Sequence, residues 1–291
     1  MTIQPTRHRG ANIYRRRRVI NAINLTASVL TTLLGLFFLG WLLVTLFAQG
    51  FAHLDLALFL QDMPGPGSDG GGLRNAIVGS LMLTGAAVLI GAPLGVMAGI
   101  HLSEYGRHTL FASVVRFVND ILLSAPSIVI GVFVFELVVI STGGFSGWAG
   151  AVALSIILVP VVVRTTEDMM RLVPDTMREA AAALGAPRWK VISAVVLRAA
   201  LSGVMTGVLL GVARIAGETA PLLFTALNNQ FFSTDMGGPM ANLPVTIFNF
   251  AMGPYDNWHD LAWAGSLLIT VAVLALNVVT RLVLRPGKKQ R

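Results

Sequence analysis

Arg178-Glu179-Ala180-Ala181-Ala182-Ala183-Leu184-Gly185-Ala186-Pro187 reads as an alanine-rich helix with polar edges, set between long apolar segments that carry little other chemistry. Asp175 is placed to cap its start and Pro174 to close the preceding turn, Gly185 suits a left-handed C-terminal cap, and Pro187 stops the helix from continuing. The expected product is a helix of about two to three turns, held in water between two membrane spans. What it does depends on its side of the membrane and on the spans that flank it.

Working outward, only 12% of the 291 residues are charged, 55% are hydrophobic and the mean hydropathy is +0.74, which is the profile of an integral membrane protein. The net charge of +7 does not point to nucleic acid, because the basic residues stand in short blocks beside apolar runs without interleaved aromatics. With no cysteine, disulfides and thiolate metal sites are excluded. The lipid bilayer is the first partner.

An apolar run from Val19 to Phe47 follows Arg15 to Arg18 and is too long for a signal-peptide core, so it is expected to stay as an anchor. Residues 49–74, with Met63-Pro64-Gly65-Pro66-Gly67-Ser68-Asp69-Gly70-Gly71-Gly72, are expected to form a flexible link without a packed core. Four further runs approach the ~20 residues that cross hydrocarbon: Ala76 to Ile100, Ile121 to Ile140, Gly147 to Val163, and Leu261 to Thr280. Between Arg198 and Arg214 the uncharged stretch gives about 22 Å of helix, so a fifth span of this kind, Val195 to Gly217, must take in an arginine. The total is six spans. Residues 106–120 are expected to form a surface helix with Phe111, Val114, Val115 and Val118 on one side, and the loop from Thr219 to Trp258 to re-enter the membrane or form a docking surface.

Basic residues crowd alternate loops: before the first span, between the second and third, from Arg164 to Arg198, and after the sixth. Arg74 and Arg214 are the two exceptions. By the positive-inside rule both termini, and the helix around Glu179, are expected in the cytoplasm.

Within the spans, Gly203, Gly207 and Gly211 repeat at four-residue spacing, and Gly91, Gly95 and Gly99 do the same. Such stripes let helix backbones approach closely, so packing is their expected role, with Pro93 adding a kink. Arg214 and Glu218 are four apart and are expected on the face of the Gly203 stripe. A charge at membrane depth costs about 2.5–3.5 kcal/mol, so such residues are usually paired or line a pathway. The residues alone leave open a gate for anions and a structural ion pair. Glu136 is the other acid at membrane depth, and His53, His101, His108 and His259 lack metal-ligand spacing. No G-x-S-x-G, H-E-x-x-H or GxxxxGK[ST] motif occurs, and Pro286-Gly287-Lys288-Lys289 does not qualify, so neither a catalytic site nor a nucleotide site is expected on this chain.

The run from Glu179 to Arg198 resembles the E-A-A-x-x-x-G loop of the inner-membrane permeases of ABC importers, through Glu179, Ala180, Ala181, Gly185, Val195 and Leu197. The final proline of that motif is Arg198 here. Ala213-Arg214-Ile215-Ala216-Gly217-Glu218-Thr219-Ala220-Pro221-Leu222-Leu223, with Gly71-Gly72 and Ala76 to Ser80, is similar to the phosphate-specific transport permeases, A subunit, and the likeness runs over about residues 70–285. The resemblance implies an all-α integral membrane fold: six transmembrane helices in a type I ABC importer permease bundle, with a cytoplasmic coupling helix. It implies a basic N-terminal segment 1–18, a permease domain 19–284 with its coupling loop at about 164–194, and a basic tail 285–291.

It further implies inorganic phosphate import across the cytoplasmic membrane of a prokaryote. The partners would be a second permease, an ATPase dimer that binds the ATP, and an extracytoplasmic phosphate-binding protein. Glu179, Ala180, Ala181, Leu184 and Gly185 would couple to the ATPase; Arg214, Glu218 and Thr219 would serve translocation and gating. The alternatives are a permease for another oxyanion, molybdate or sulfate, and, more distantly, a stand-alone channel or secondary transporter.

Overall fold

The computed structural model describes residues 7–107 and 109–283, so His108 and the expected tail at 285–291 lie outside the described residues. Every regular element among the described residues is helical: α1 (Arg7–Ala52), α2 (Ala57–Leu60), α3 (Arg74–Ile100), α4 (Leu110–Ser124), α5 (Ser127–Val134), α6 (Ile140–Thr142), α7 (Gly147–Arg171), α8 (Asp175–Ala183), α9 (Arg188–Lys190), α10 (Leu197–Ile215), α11 (Ala220–Thr225), α12 (Leu243–Ala251) and α13 (Asp256–Val283). Wide π-type turns at His101–Tyr105, Phe135–Val139 and Val191–Val196 extend three of the long segments without breaking them. Five helical segments are long and apolar enough to cross a bilayer, or six when the bent pair α4 and α5–α6 counts as one.

The centre is α7. Its two flanking partners are the helices that carry glycine stripes, and each stripe lies flat against it: Gly91, Gly95 and Gly99 of α3 meet Ser155, Val162 and Thr166, while Gly203, Gly207 and Gly211 of α10 meet Met169, Thr165 and Leu158. A Cβ placed at Gly95 would stand 2.7 Å from Cβ of Val162, and one at Gly99 would stand 2.6 Å from Cβ of Thr166. The missing side chains are what let three backbones stack at this separation. Around that contact Leu83, Leu154, Leu158, Val162 and Val208 form the main core. In contrast α1 is exposed from Ile13 onward for most of its length, and among the described residues it is buried only at Leu46 and Gly50, against α13. An apolar helix of that kind is soluble in lipid, not in water.

Three sequence expectations change. The third span does not run from Ile121 to Ile140: the chain bends by 104° between Ser124 and Ser127, since Pro126 keeps Ala125 extended and withholds an N–H from the turn. The apolar stretch is thereby divided between α4 and the α5–α6 segment. On α4, Phe111, Val114 and Val118 are exposed as a group, but Val115 turns inward against Leu102 and Ala112.

The expected flexible link is pinned at its root. Leu58, Met63 and Leu73 are buried, Arg74 Nε bonds Asp62 at 3.0 Å, and Asn75 accepts from the Met63 N–H at 3.3 Å; residues 65–70 form an exposed tip. The long loop after α10, expected to re-enter or to form a docking surface, folds back between the spans. Leu222 and Ala226, with Met240 and Val245 farther along, join the main core beside Leu83, Ile130 and Leu154. Phe250 stacks on Trp258 at 4.8 Å, whereas Phe231, Phe232 and Phe248 stay exposed.

Candidate functional site: two ends of one long helix

From Arg188 to Ile215 the chain is helical for 28 residues, about 42 Å at 1.5 Å per residue, enough to join the two faces of a bilayer. Arg107, Arg116, Arg171, Arg178 and Arg188 gather at its first end, called the basic end below, and chemistry of a different kind gathers at the other.

At the basic end, α8 is the alanine-rich helix expected from the sequence. Gly185 follows it at φ +81°, the left-handed conformation that a side chain would strain. Its start differs from expectation. Pro174 holds the cap position without a side-chain bond, and Asp175 is the first helical residue. The Asp175 carboxylate accepts from Arg178 Nη1 at 3.1 Å and from Arg107 Nη1 at 3.4 Å, which still sets a negative charge on the positive end of the helix dipole.

Arg178 fastens the helix to the bundle. Its Nη2 donates to Glu104 Oε1 at 2.7 Å and to the Met170 carbonyl at 2.9 Å, and its Nη1 donates to the Val173 carbonyl. Side-chain exposures of 15% for Arg178 and 8% for Glu104 make this a buried pair. The hydrogen bond to Glu104 raises the Arg178 pKa further above its usual value, outweighing burial, which acts to lower it. Arg188 also reaches Glu104, donating to its main-chain carbonyl, and lies 4.6 Å over the Tyr105 ring.

A second buried carboxylate stands nearby. Glu167, with its side chain 3% exposed, takes Arg116 Nε at 2.7 Å and Arg171 Nη2 at 2.5 Å. Arg116 Nη2 also donates to the Leu102 carbonyl at 3.0 Å, so α4, α7 and the end of α3 meet at one guanidinium.

What α8 leaves outside is apolar and polar in patches. Glu179, Ala180 and Leu184 point away from the bundle, Leu184 being 90% exposed and Trp189, just beyond, 65%. Ala181 faces the other way, against the cluster around Val173, Val191 and Ile192. The helix therefore has one face bonded to the membrane helices and one face free.

At the opposite end the expected common face of Arg214 and Glu218 is absent, because α10 stops at Ile215 and the chain turns at Ala216–Gly217 before α11. Pro221 is the physical reason, since it fits the first turn of a new helix better than the interior of an old one. Among the described residues no hydrogen bond or ion pair is formed by the side chain of Arg214, Glu218 or Glu136. Arg214 and Glu136 are exposed and Glu218 is half-buried.

Thr219 and Gly217 open onto a cavity of about 570 Å³ shared with α12 and α13. Ser266, Thr270 and Asn277 of α13 line it at helical spacing, each donating to a carbonyl one turn back in its own helix: Ala262 at 2.7 Å, Ser266 at 2.7 Å and Val273 at 2.9 Å. Their acceptor atoms remain available to a guest, and the hydroxyl donors can be redirected at the cost of one local bond. This polar lining was missed in the sequence, where single polar residues scattered through an otherwise apolar run carry no motif. Glu104 and Glu167 were missed for another reason: Arg178 lies 74 residues from Glu104 and Arg116 lies 51 from Glu167, and only Arg171, one turn along the same helix, is close in sequence.

Residues 91–285 match the family described as "Binding-protein-dependent transport system inner membrane component". The chain is 57% identical over 272 residues to the phosphate transport system permease protein PstA of Yersinia pestis, covering 94% of this chain and 92% of that one. The Haemophilus influenzae protein of the same name is 55% identical over 266 residues, covering 91% and 94%. PstA 1 of Mycobacterium tuberculosis is 36% identical over 274 residues, covering 92% and 90%. Among solved structures, a chain of the bacterial alginate ABC transporter superposes with a TM-score of 0.64 at 14% identity, covering 96% of this chain and 98% of that one. A chain of the inward-facing MetNI methionine ABC transporter gives 0.60 at 18%, covering 73% and 94%. These two likenesses establish the fold.

Proposed function

The chain belongs to the binding-protein-dependent transport system inner membrane components, and within them to the phosphate transport system permeases, and we propose that it passes inorganic phosphate inward as one permease subunit of an ATP-driven importer. A second permease, an ATPase dimer that holds the ATP, and an extracytoplasmic phosphate-binding protein complete the machine. No cofactor is required on this chain. The positive-inside rule puts the basic end, and with it α8, in the cytoplasm of a bacterium.

One observation carries the coupling role: α8 is bonded to the bundle through Arg178 while Glu179, Ala180, Leu184 and Trp189 face outward. A helix so held transmits force as a rigid body. Its free face presents a large apolar residue beside small ones, a shape suited to a groove in the ATPase, and Gly185 ends it sharply. Closure of the ATPase dimer displaces α8, and the helix from Arg188 to Ile215 carries the displacement to the other face of the membrane. The pathway thus opens to one side at a time.

The passage role falls to the opposite end. Arg214 has no acidic partner among the described residues, so its charge is available to an anion that arrives from the binding protein. Glu218 lies close in sequence and opposes tight retention, which passage requires as much as it requires attraction. Thr219, with Ser266 and Thr270, supplies neutral hydrogen bonds along the way. Uptake of phosphate by the reconstituted complex tests the reading: Arg214→Gln is expected to abolish most uptake while the complex still assembles, and unchanged uptake would reject it. Stimulation of ATP hydrolysis by phosphate-loaded binding protein, against sulfate or molybdate, separates phosphate from the other oxyanions.

A further inference from the structure

Beside α8 lies a cavity of about 380 Å³, walled by Glu104, Arg107, Arg178, Ala182, Ala186 and Arg188. Its volume is that of about a dozen waters at about 30 Å³ each, ample for a tetrahedral oxyanion with part of its hydration shell. The charges on its wall do not cancel. Glu104 is fully engaged by Arg178, and Asp175 is shared between Arg178 and, at 3.4 Å, Arg107. Among the described residues Arg188 has no carboxylate partner. Its one hydrogen bond there goes to the Glu104 carbonyl and its face rests on Tyr105, which leaves most of its five N–H donors without an acceptor among the described residues.

Arg107 is held loosely, its side chain 38% exposed and its carboxylate partner 61% exposed. Two guanidiniums, one unneutralised and one weakly paired, thus border a cavity whose third guanidinium is fixed in place. Planar forks of this kind match phosphoryl oxygens bidentately.

We propose that this cavity is an anion site for a phosphoryl-type oxyanion, held by Arg188 and Arg107 between α8 and the wide turn at His101–Tyr105. The position gives the site a consequence. Arg107 belongs to the turn that ends α3, Arg188 to the segment that leads from α8 into α10, and an anion bridging them ties the coupling helix to the bundle more firmly. Occupancy then opposes the movement of α8, so phosphoryl groups on the basic side slow transport. Two sources carry the same chemistry: free inorganic phosphate in the cytoplasm, and the headgroup of an acidic phospholipid at the membrane surface. The inference takes the cytoplasmic placement of α8 from the function proposed above, but its test reads binding, not transport.

The test uses the complete complex, without nucleotide, in nanodiscs of phosphatidylcholine, and follows the fluorescence of Trp189, which adjoins Arg188; Trp189→Phe identifies its share of the signal. Titrated inorganic phosphate is expected to give a saturable change. Its midpoint rises about tenfold in Arg188→Gln and about threefold in Arg107→Gln, a variant of an exposed residue that does not threaten folding, while Arg188→Lys falls between wild type and Arg188→Gln. If the Arg188-dependent change appears only when phosphatidylglycerol is added to the disc, the site stands and its ligand is the headgroup. No change in either disc, or the same midpoint in Arg188→Gln and Arg107→Gln as in wild type, overturns the proposal; an acidic side chain of the ATPase filling the cavity would give that result. Failure of the phosphate-import reading would show in uptake and leave this titration unaltered.

Discussion

The two ends of the Arg188 to Ile215 helix spend their charges in opposite ways. At the basic end the acids Glu104 and Glu167 are buried and each is met by arginine at 2.7 Å or closer; at the other end Arg214, Glu218 and Glu136 make no ion pair among the described residues. Paired, buried charges fix shape, because separating them exposes an uncompensated ion to a medium of low polarity. Charges left unpaired near a membrane are costly to keep, and such residues are retained where a ligand or a partner subunit meets them. The difference assigns mechanical coupling to the first end and passage of the transported anion to the second.

The comparison breaks most readily at Glu104. Glu104→Ala removes the buried acid of Arg178 and leaves it only the exposed Asp175, and a loss of up to about 3–5 kcal/mol is expected, seen as a lower unfolding temperature and as ATP hydrolysis that no longer responds to the binding protein. A complex of unchanged stability would mean that α8 is held by something other than this pair.

Next comes the helix contact that joins the ends. Gly95→Leu drives a side chain into Val162 and is expected to cost about 1–3 kcal/mol and to lower the yield of assembled complex. Normal yield and stability would show that α3 and α7 can separate freely. On the free face of α8, Leu184→Ser removes an apolar contact worth about 1.5–3 kcal/mol if fully buried by the ATPase. Co-purification of the ATPase should weaken by tenfold or more on that scale, and full retention would place the docking surface elsewhere. The smallest effect is expected at Thr270→Ala, which deletes one neutral hydrogen-bonding group from the α13 lining, about 0.5–1.5 kcal/mol. A severalfold rise in the phosphate concentration for half-maximal uptake would sharpen the assignment of that cavity to the pathway, and no rise would remove α13 from it.

The same contrast explains what could be read from the residues in advance. Glycine stripes, apolar runs and the turn chemistry around Gly185 are local signals, and from them the long helices and the stop of α8 were legible. The bend at Pro126 was legible in principle, but the hydropathy of Ile121 to Ile140 runs smoothly across it and conceals it. Arg116 and Arg178 were legible as markers of membrane side; their second role, as clamps on Glu167 and Glu104, needs the fold to bring distant segments together, whereas Arg171 meets Glu167 one turn away on α7. At the far end, Arg214 and Glu218 suggested a shared helical face only while α10 was taken to continue, and Pro221 decided otherwise. The α13 lining became visible only once Thr219 and Gly217 were seen across the cavity from it.

The division of labour is tested most directly by measuring phosphate uptake and binding-protein-stimulated ATP hydrolysis together, in proteoliposomes containing the whole complex, for Arg214→Gln and Glu179→Lys. The account predicts that Arg214→Gln loses at least about nine-tenths of uptake, a barrier change of about 1.4 kcal/mol, while hydrolysis is still stimulated. It predicts that Glu179→Lys loses both uptake and stimulation. Uptake unaffected by Arg214→Gln, or normal coupling in Glu179→Lys, would contradict it.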